Sequence, residues 1–289
     1  MVGGQSGKAL TGRALRVLCV VAALTAVPAC TQKPDPAEAD LATLTAEQIY
    51  TLGELALAGN KRKPEDALVY FQEVERLYPY SAWAKRALIM QAFTLHQSKD
   101  YEAARLAAER YLEFYPADED AAYAAFLLAL SYYDQIDEVG RDQGLTYQAL
   151  QALRVVIEDY PDSEYARSAM LKFDMAFDHL AGKEMEIGRY YLKRGNYTAA
   201  INRFRVVVQD YQTTSHTPEA LHRLVESYLA LGLAAEAQTA AAILGYNYQS
   251  SPFYQDSYNL LKKAGLAPDV QGTNWLTTVY RQMVKGEWL

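Results

Sequence analysis

Apolar and polar residues follow two different rhythms along this chain. The first 16 positions carry Lys8, Arg13 and Arg16 and no acid, and positions 17–27 are almost wholly apolar. A basic start followed by a short apolar run has the layout of a secretory signal. The run is shorter than the ~20 residues needed to cross ~30 Å of hydrocarbon. It stops at Val27-Pro28-Ala29-Cys30, and a Pro-rich, acidic stretch from Thr31 to Asp40 follows. Such a stretch predicts an extended tether.

From about residue 45 the rhythm changes. Four segments place an apolar residue seven positions after an Ala and a Tyr eleven after it, usually with Pro next. They are Ala67…Val74…Tyr78-Pro79, Ala104…Tyr111…Tyr115-Pro116, Ala149…Val156…Tyr160-Pro161 and Ala200…Val207…Tyr211-Gln212. Phe71, Leu153 and Phe204 add a position at +4. Spacings of four, seven and eleven share one helical face. A Pro after the last turn forbids continuation. A second helix precedes each of these. In Gly188…Tyr191…Gly195-Asn196-Tyr197…Ala200 the small residue lets two helices approach closely, and Gly195-Asn196 makes the turn. Ala92…Asp100-Tyr101…Ala104 is a second copy, and Tyr228…Gly232…Ala237…Leu244 a fifth that lacks the terminal Tyr-Pro.

These offsets resemble the tetratricopeptide repeat. The predicted fold is therefore all-α: a right-handed superhelical solenoid of about five repeats over residues 45–265, with a C-terminal helical cap. The β-branched runs Val155–Ile157 and Val206–Val208 sit inside helical frames, so context overrides their strand preference. The third repeat carries a polar insert, Asp137 to Gly144. The first part of the fourth, Ser163 to Arg194, is overlong and reads as two helices or one long bent one. Pro252 to Ala264 predicts one more helix, and Gly265 to Asp269 breaks it. In the tail, residues 266–289, Asn274 caps an amphipathic helix bearing Trp275, Val279, Tyr280 and Met283. That helix reads as a cap over the solenoid end or as a docking helix for a partner or a membrane surface.

Cys30 resembles the lipid-modified cysteine of the bacterial lipobox, in which a small residue precedes a Cys that is diacylated and becomes the mature N-terminus. Pro28 departs from the usual pattern. On this reading residues 1–29 are a lipoprotein signal and 30–44 a flexible tether. Two or three acyl chains, at ~0.8 kcal/mol per buried CH₂, give stable anchoring. The other reading is an ordinary cleaved signal with Cys30 incidental. The chain has two Cys in all, and Cys19 lies in the apolar run, so a disulfide framework is excluded. Of 28 basic residues, Lys8, Arg13 and Arg16 leave with the signal; 25 against 35 acids gives a mature net charge of −10. That balance argues against a nucleic-acid partner.

Catalytic and metal chemistry find no constellation. His96, His179, His216 and His222 lack metal-ligand spacing, and His216 and His222 are expected to be solvated. No mature thiol, nucleophile elbow or phosphate loop occurs. Neither an enzyme, a cofactor nor a metal is expected. Binding is the remaining class, and 23 Tyr against 8 Phe and 3 Trp suit it. Tyr101, Tyr191 and Tyr197 occupy repeat core positions; Tyr80, Trp83, Tyr132, Tyr133 and Tyr190 are candidates for a concave groove that holds extended peptide.

Four features together resemble one family over about residues 45–245. They are the export signal with Cys30, the turn Tyr78-Pro79-Tyr80-Ser81, the insert Arg141-Asp142-Gln143, and the stretch from Arg189 through Tyr190, Arg194-Gly195 and Asn202-Arg203. The family is the tetratricopeptide lipoproteins of the outer-membrane β-barrel assembly machinery, of the BamD or ComL type. The resemblance implies a periplasmic scaffold tethered to the outer membrane, aided there by Thr31 after the Cys. It implies that the C-terminal repeats bind the barrel-forming subunit, with Arg194 and Arg203 as contact candidates. It implies that the N-terminal repeats receive unfolded outer-membrane proteins, with Tyr78 as a candidate, and that accessory lipoproteins join. The competing class is a Tol-associated repeat protein that coordinates the cell envelope or division machinery. Residues 31–60 lack the sustained heptads of that type.

Overall fold

The computed structural model describes residues 40–58 and 64–287. The export segment, Cys30 and most of the tether lie outside these residues. Residues 40–45 form a short turn in which Thr43 N–H donates to the Asp40 carbonyl (3.2 Å) and belong to a unit separate from the one that begins at Ala46.

Among the described residues every element is an α-helix. Five hairpins follow in order: α1 (Ala46–Ala58) with α2 (Pro64–Leu77), α3 (Ala82–Gln97) with α4 (Tyr101–Phe114), α5 (Ala121–Tyr133) with α6 (Gly144–Asp159), α7 (Ala166–Lys193) with α8 (Tyr197–Asp210), and α9 (Thr217–Ala230) with α10 (Ala234–Asn247). Two further helices, α11 (Pro252–Lys263) and α12 (Trp275–Lys285), complete the chain. Within the five hairpins each helix packs chiefly on its neighbours in sequence, which is the arrangement of a solenoid of stacked repeats.

The repeat register explains this packing. Ala67, Ala104, Ala149, Ala200 and Ala237 are all fully buried. So are the residues four and seven positions later, from Phe71 and Val74 to Ala241 and Leu244. Each helix ends on the Tyr at +11, whose N–H donates to the carbonyl of the +7 residue. These bonds run Tyr78 to Val74, Tyr115 to Tyr111, Tyr160 to Val156, Tyr211 to Val207 and Tyr248 to Leu244, at 2.8–3.2 Å. Tyr248 lies eleven positions after Ala237, so the fifth repeat lacks only the Pro and keeps the Tyr. Gln212 and Gln249 follow the last two, so the helices stop there without proline.

The inner helices approach through missing side chains. A Cβ on Gly53 would fall 2.7 Å from the Phe71 ring, and one on Gly188 would fall inside the ring of Phe204. The turns between paired helices repeat as well. Gly195 and Gly232 are left-handed at φ +74 and +75, and Lys99 takes the same conformation at φ 64. The next residue then donates to a carbonyl five positions back, Asp100 to Leu95, Asn196 to Tyr191 and Leu233 to Tyr228.

The overlong segment is one continuous helix. At 28 residues, α7 is about 42 Å long at 1.5 Å per residue. Its first half packs Ala169 with Phe126 and Leu153, and Ala176 and Leu180 with Leu150. Its second half packs Ala181 and Met185 against Ala200 and Phe204. Two loops grip the middle. The insert after α5 supplies the Gly140 carbonyl to Lys183 Nζ, the Gln143 side chain to His179 (3.1 Å) and Val139 against Gly182. From the other loop, Ser215 N and Oγ both donate to Asp178 (2.9 Å each).

The tail is part of the core. Gln238 and Thr239 of α10 hold the strand of chain around Ala267 and Gln271 by hydrogen bonds of 2.8 and 3.0 Å. Helix α12 opens on a capping box between Asn274 and Thr277. It buries Leu276 and Val279 in the cluster that runs from Ala181 through Leu244. The end of the stack is covered by α11, which packs on α9 and α10, whereas α12 lies against α10.

Candidate functional site

Arg203 lies in the second turn of α8, on the side that faces α7. Its guanidinium donates to both carboxylate oxygens of Glu184, at 3.0 and 3.4 Å. Its side chain remains 43% exposed against 20% for Glu184, so one flank of the fork still faces water. Arg194 ends α7, where the left-handed Gly195 turns the chain. Its guanidinium lies 4.2 Å from the centre of the Tyr190 ring, and both side chains are exposed. Ten residues, or about 15 Å of helix, separate Glu184 from Arg194. The two arginines thus belong to one hairpin but to different contacts on it. An exposed Arg stacked on a Tyr is a preformed anchor of the kind that dominates protein interfaces.

A charged ladder joins the next helices. Arg189 donates to Glu219 (2.9 Å), and Arg223 to Glu219 (3.3 Å) and Glu226 (2.8 Å). His222 is paired with Glu226 (3.5 Å) and bonded to Ser257 of α11 (2.8 Å). His222 is 5% exposed, which overturns the expectation that it is solvated. Its neighbour Ser257 is fully buried, so α11 closes over it. Burial would raise the Glu226 carboxyl, but hydrogen bonds from His222 and Arg223 outweigh it and hold the group below its ordinary range. The spacings Glu219–Arg223 and His222–Glu226 carry this signal in sequence, since residues four apart meet on a helix. His216 is partly exposed and lies 3.4 Å from Asp178.

At the other end, Tyr78 terminates α2 and is half-buried; its carbonyl accepts from Ser81 N (3.0 Å) and Oγ (2.8 Å). The fully exposed aromatic there is Tyr80. Tyr80 lines a groove of about 300 Å³ with Glu75, Pro79, Leu88, Phe114 and Tyr115. Behind it, Asp118 accepts from Lys85 Nζ (2.5 Å) and Tyr111 Oη (2.6 Å), which together lower its carboxyl to about 2. A more apolar hollow of about 430 Å³ lies between α1, α2 and α3, walled by Leu57, Met90 and Phe93. Of the other groove candidates, Trp83 packs on Tyr50 (5.1 Å between ring centres), and Tyr132 lies under Arg105 (4.6 Å). Tyr133 lies under Lys172 at 4.5 Å. Tyr101, Tyr191 and Tyr197 are half-buried rather than enclosed.

Asp118 ties the chain after α4 to Lys85 of α3 and Tyr111 of α4, whereas Glu226 is held by His222 and Arg223 of its own helix. Among the described residues no group of three His, Cys, Asp or Glu side chains is placed to hold a metal, and no helix is long and apolar enough to cross a membrane. Residues 42–243 match the model of a protein family, YfiO, described as an outer membrane lipoprotein. The chain belongs to this family. Membership assigns it to the outer membrane. The match takes in all five hairpins and ends at Ile243 within α10, so α11 and α12 lie beyond it. Relatives reach further. The outer membrane protein assembly factor BamD of Caulobacter vibrioides is 44% identical over 260 residues, covering 90% of this chain and 85% of that one. The BamD of Rickettsia prowazekii is 42% identical over 81% of this chain and 91% of its own. That of Neisseria meningitidis serogroup A is 28% identical over 72% and 81%.

Proposed function

We propose that this protein is a lipid-anchored periplasmic scaffold of the β-barrel assembly machinery, which aids the folding and insertion of outer-membrane proteins without catalysing a reaction. The observation that carries this reading is the likeness, over nine-tenths of the chain, to an outer membrane protein assembly factor. In it, residues 1–29 are a lipoprotein signal and Cys30 bears the lipid. Residues 30–44 are the tether, 45–265 the solenoid and 266–289 the tail. Hairpins four and five dock the periplasmic domains of the barrel-forming subunit through Arg194 and Arg203. The exposed Arg194–Tyr190 pair and the half-free fork of Arg203 supply what such contacts use. Hairpins one to three receive unfolded substrate at the aromatic turn that includes Tyr78 and Tyr80. Accessory lipoproteins complete the assembly.

The test is Arg203→Glu. Recovery of the barrel-forming subunit with the affinity-purified variant from native membranes is expected to fall, and undiminished recovery removes Arg203 from the interface. Mass spectrometry of the mature N-terminus checks the anchor: a diacylated Cys30 is expected, and cleavage elsewhere removes it.

A further inference from the structure

Arg203 is not free in this chain; an internal carboxylate already holds it. Glu184 reaches it from α7 with both oxygens, at 3.0 and 3.4 Å. We propose that Glu184 is an intramolecular competitor for the partner's carboxylate, so that docking on hairpin four requires exchange of one acid for another at Arg203. The inference rests on the reading of Arg203 as a partner contact given above.

Two observations point to exchange rather than to a fixed structural bridge. The first is geometry. A single nitrogen of the guanidinium, Nη1, makes both bonds, so the pair is not the two-nitrogen fork that carboxylates bind most strongly. Nη2 and Nε remain for an incoming acid. The second is exposure: with 43% of the Arg203 side chain open to water, a partner can reach it without unfolding the hairpin. Loss of the pair leaves Arg203 solvated and Glu184, at 20% exposure, in partial contact with water. A pair open to water on its arginine side contributes only modestly to folding. Its effect falls on affinity, since an acid already in place must be displaced before another binds.

The sign separates this role from positioning. A residue that merely aims Arg203 weakens docking when removed; a competitor strengthens it. The experiment measures affinity of the full mature protein for the purified periplasmic domains of the barrel-forming subunit, by titration calorimetry at low salt. Glu184→Gln is expected to tighten binding about 2- to 5-fold, the range of an exposed pair. In an Arg203→Ala background the same change is expected to have no effect, because the two residues act through one contact. Glu184→Ala is expected to repeat the result and guards against the Gln side chain replacing the lost bonds. Thermal melts confirm that each variant stays folded. If Glu184→Gln weakens binding, leaves it unchanged while Arg203→Ala weakens it, or tightens it equally without Arg203, the competition is overturned and the docking assignment stands. If Arg203→Ala leaves affinity unchanged, Arg203 leaves the interface and the competition goes with it.

Discussion

Leu276→Ala decides what the terminal helix is. Leu276 is fully buried and belongs to the cluster that also holds Ile243, Leu244, Leu224 and Phe204. Truncating an enclosed Leu to Ala loses its transfer energy and leaves a cavity, together about 2–5 kcal/mol. A helix that merely waits for a partner or a membrane loses none of this. In a stack of repeats stability is a sum of local and neighbour terms, so the loss appears where the cluster is. Amide hydrogen exchange is the suitable assay. A loss of about 3 kcal/mol accelerates exchange roughly 100-fold where opening of the C-terminal part limits it. That acceleration is expected in α8 to α12. Amides in α1 to α4, which share none of the cluster, are expected to keep their rates. Unchanged exchange in α9 and α10 would refute the placement of α12 in the core, and a uniform acceleration would refute the division of the stack into local cores.

Two further outcomes follow from groups already described. The Asp118 carboxyl sits at about 2 against an ordinary 3.8, because Lys85 and then Tyr111 donate to it. Its contribution is therefore complete above the ordinary value and disappears as pH falls from about 4 toward 2. Asp118→Asn is expected to lose about 1 kcal/mol at pH 7, after discount for solvent screening, and to melt alongside wild type near pH 2; a constant gap between the two melting curves contradicts the assignment. Lys99 holds a left-handed turn that glycine fills in hairpins four and five. Lys99→Gly is expected to raise stability by about 0.5–1 kcal/mol in urea denaturation, the relieved strain less the added entropy of the unfolded chain, and a loss of stability would show that the Lys99 side chain carries a contact there.

The repeat frame was legible because it is local. An Ala, a residue seven later and a Tyr eleven later report one helix face, and all five copies bury as that spacing requires. Tyr248 is followed by Gln rather than Pro, as Tyr211 is, and the +11 offset from Ala237 alone identifies it. The insert after α5 reads in sequence as a polar loop. Its docking on α7 runs through the Gly140 carbonyl to Lys183 and the Gln143 side chain to His179, and no local spacing encodes that meeting. His222 misled for a similar reason. Its own helix carries polar neighbours, and the residue that buries and bonds it, Ser257, arrives from 35 positions away. Arg194 and Arg203, which we propose as contacts, were singled out by likeness to a family, whereas their partners inside this chain, Glu184 and the Tyr190 ring, are a tertiary fact for one and an i,i+4 relation for the other.

The continuity of α7 bears on how the two ends of the molecule are joined. Two short helices would have allowed a hinge between the third and fourth hairpins. One unbroken helix of 28 residues instead gives its first half to one core and its second half to the next. Its two glycines do not loosen it, because each admits a close neighbour: Phe204 at Gly188, and Val139 with His216 at Gly182. Rotation about the middle of the helix would have to break the two Ser215 bonds to Asp178, the Gln143 bond to His179 and the Lys183 bond to Gly140 together. Glu184 stands directly after this grip, and Arg203 reaches across to it. The pair that we place at the partner contact is thus attached to a joint braced by four hydrogen bonds from two loops. A load applied at Arg203 passes into the helix that also supports hairpin three, not into a flexible link.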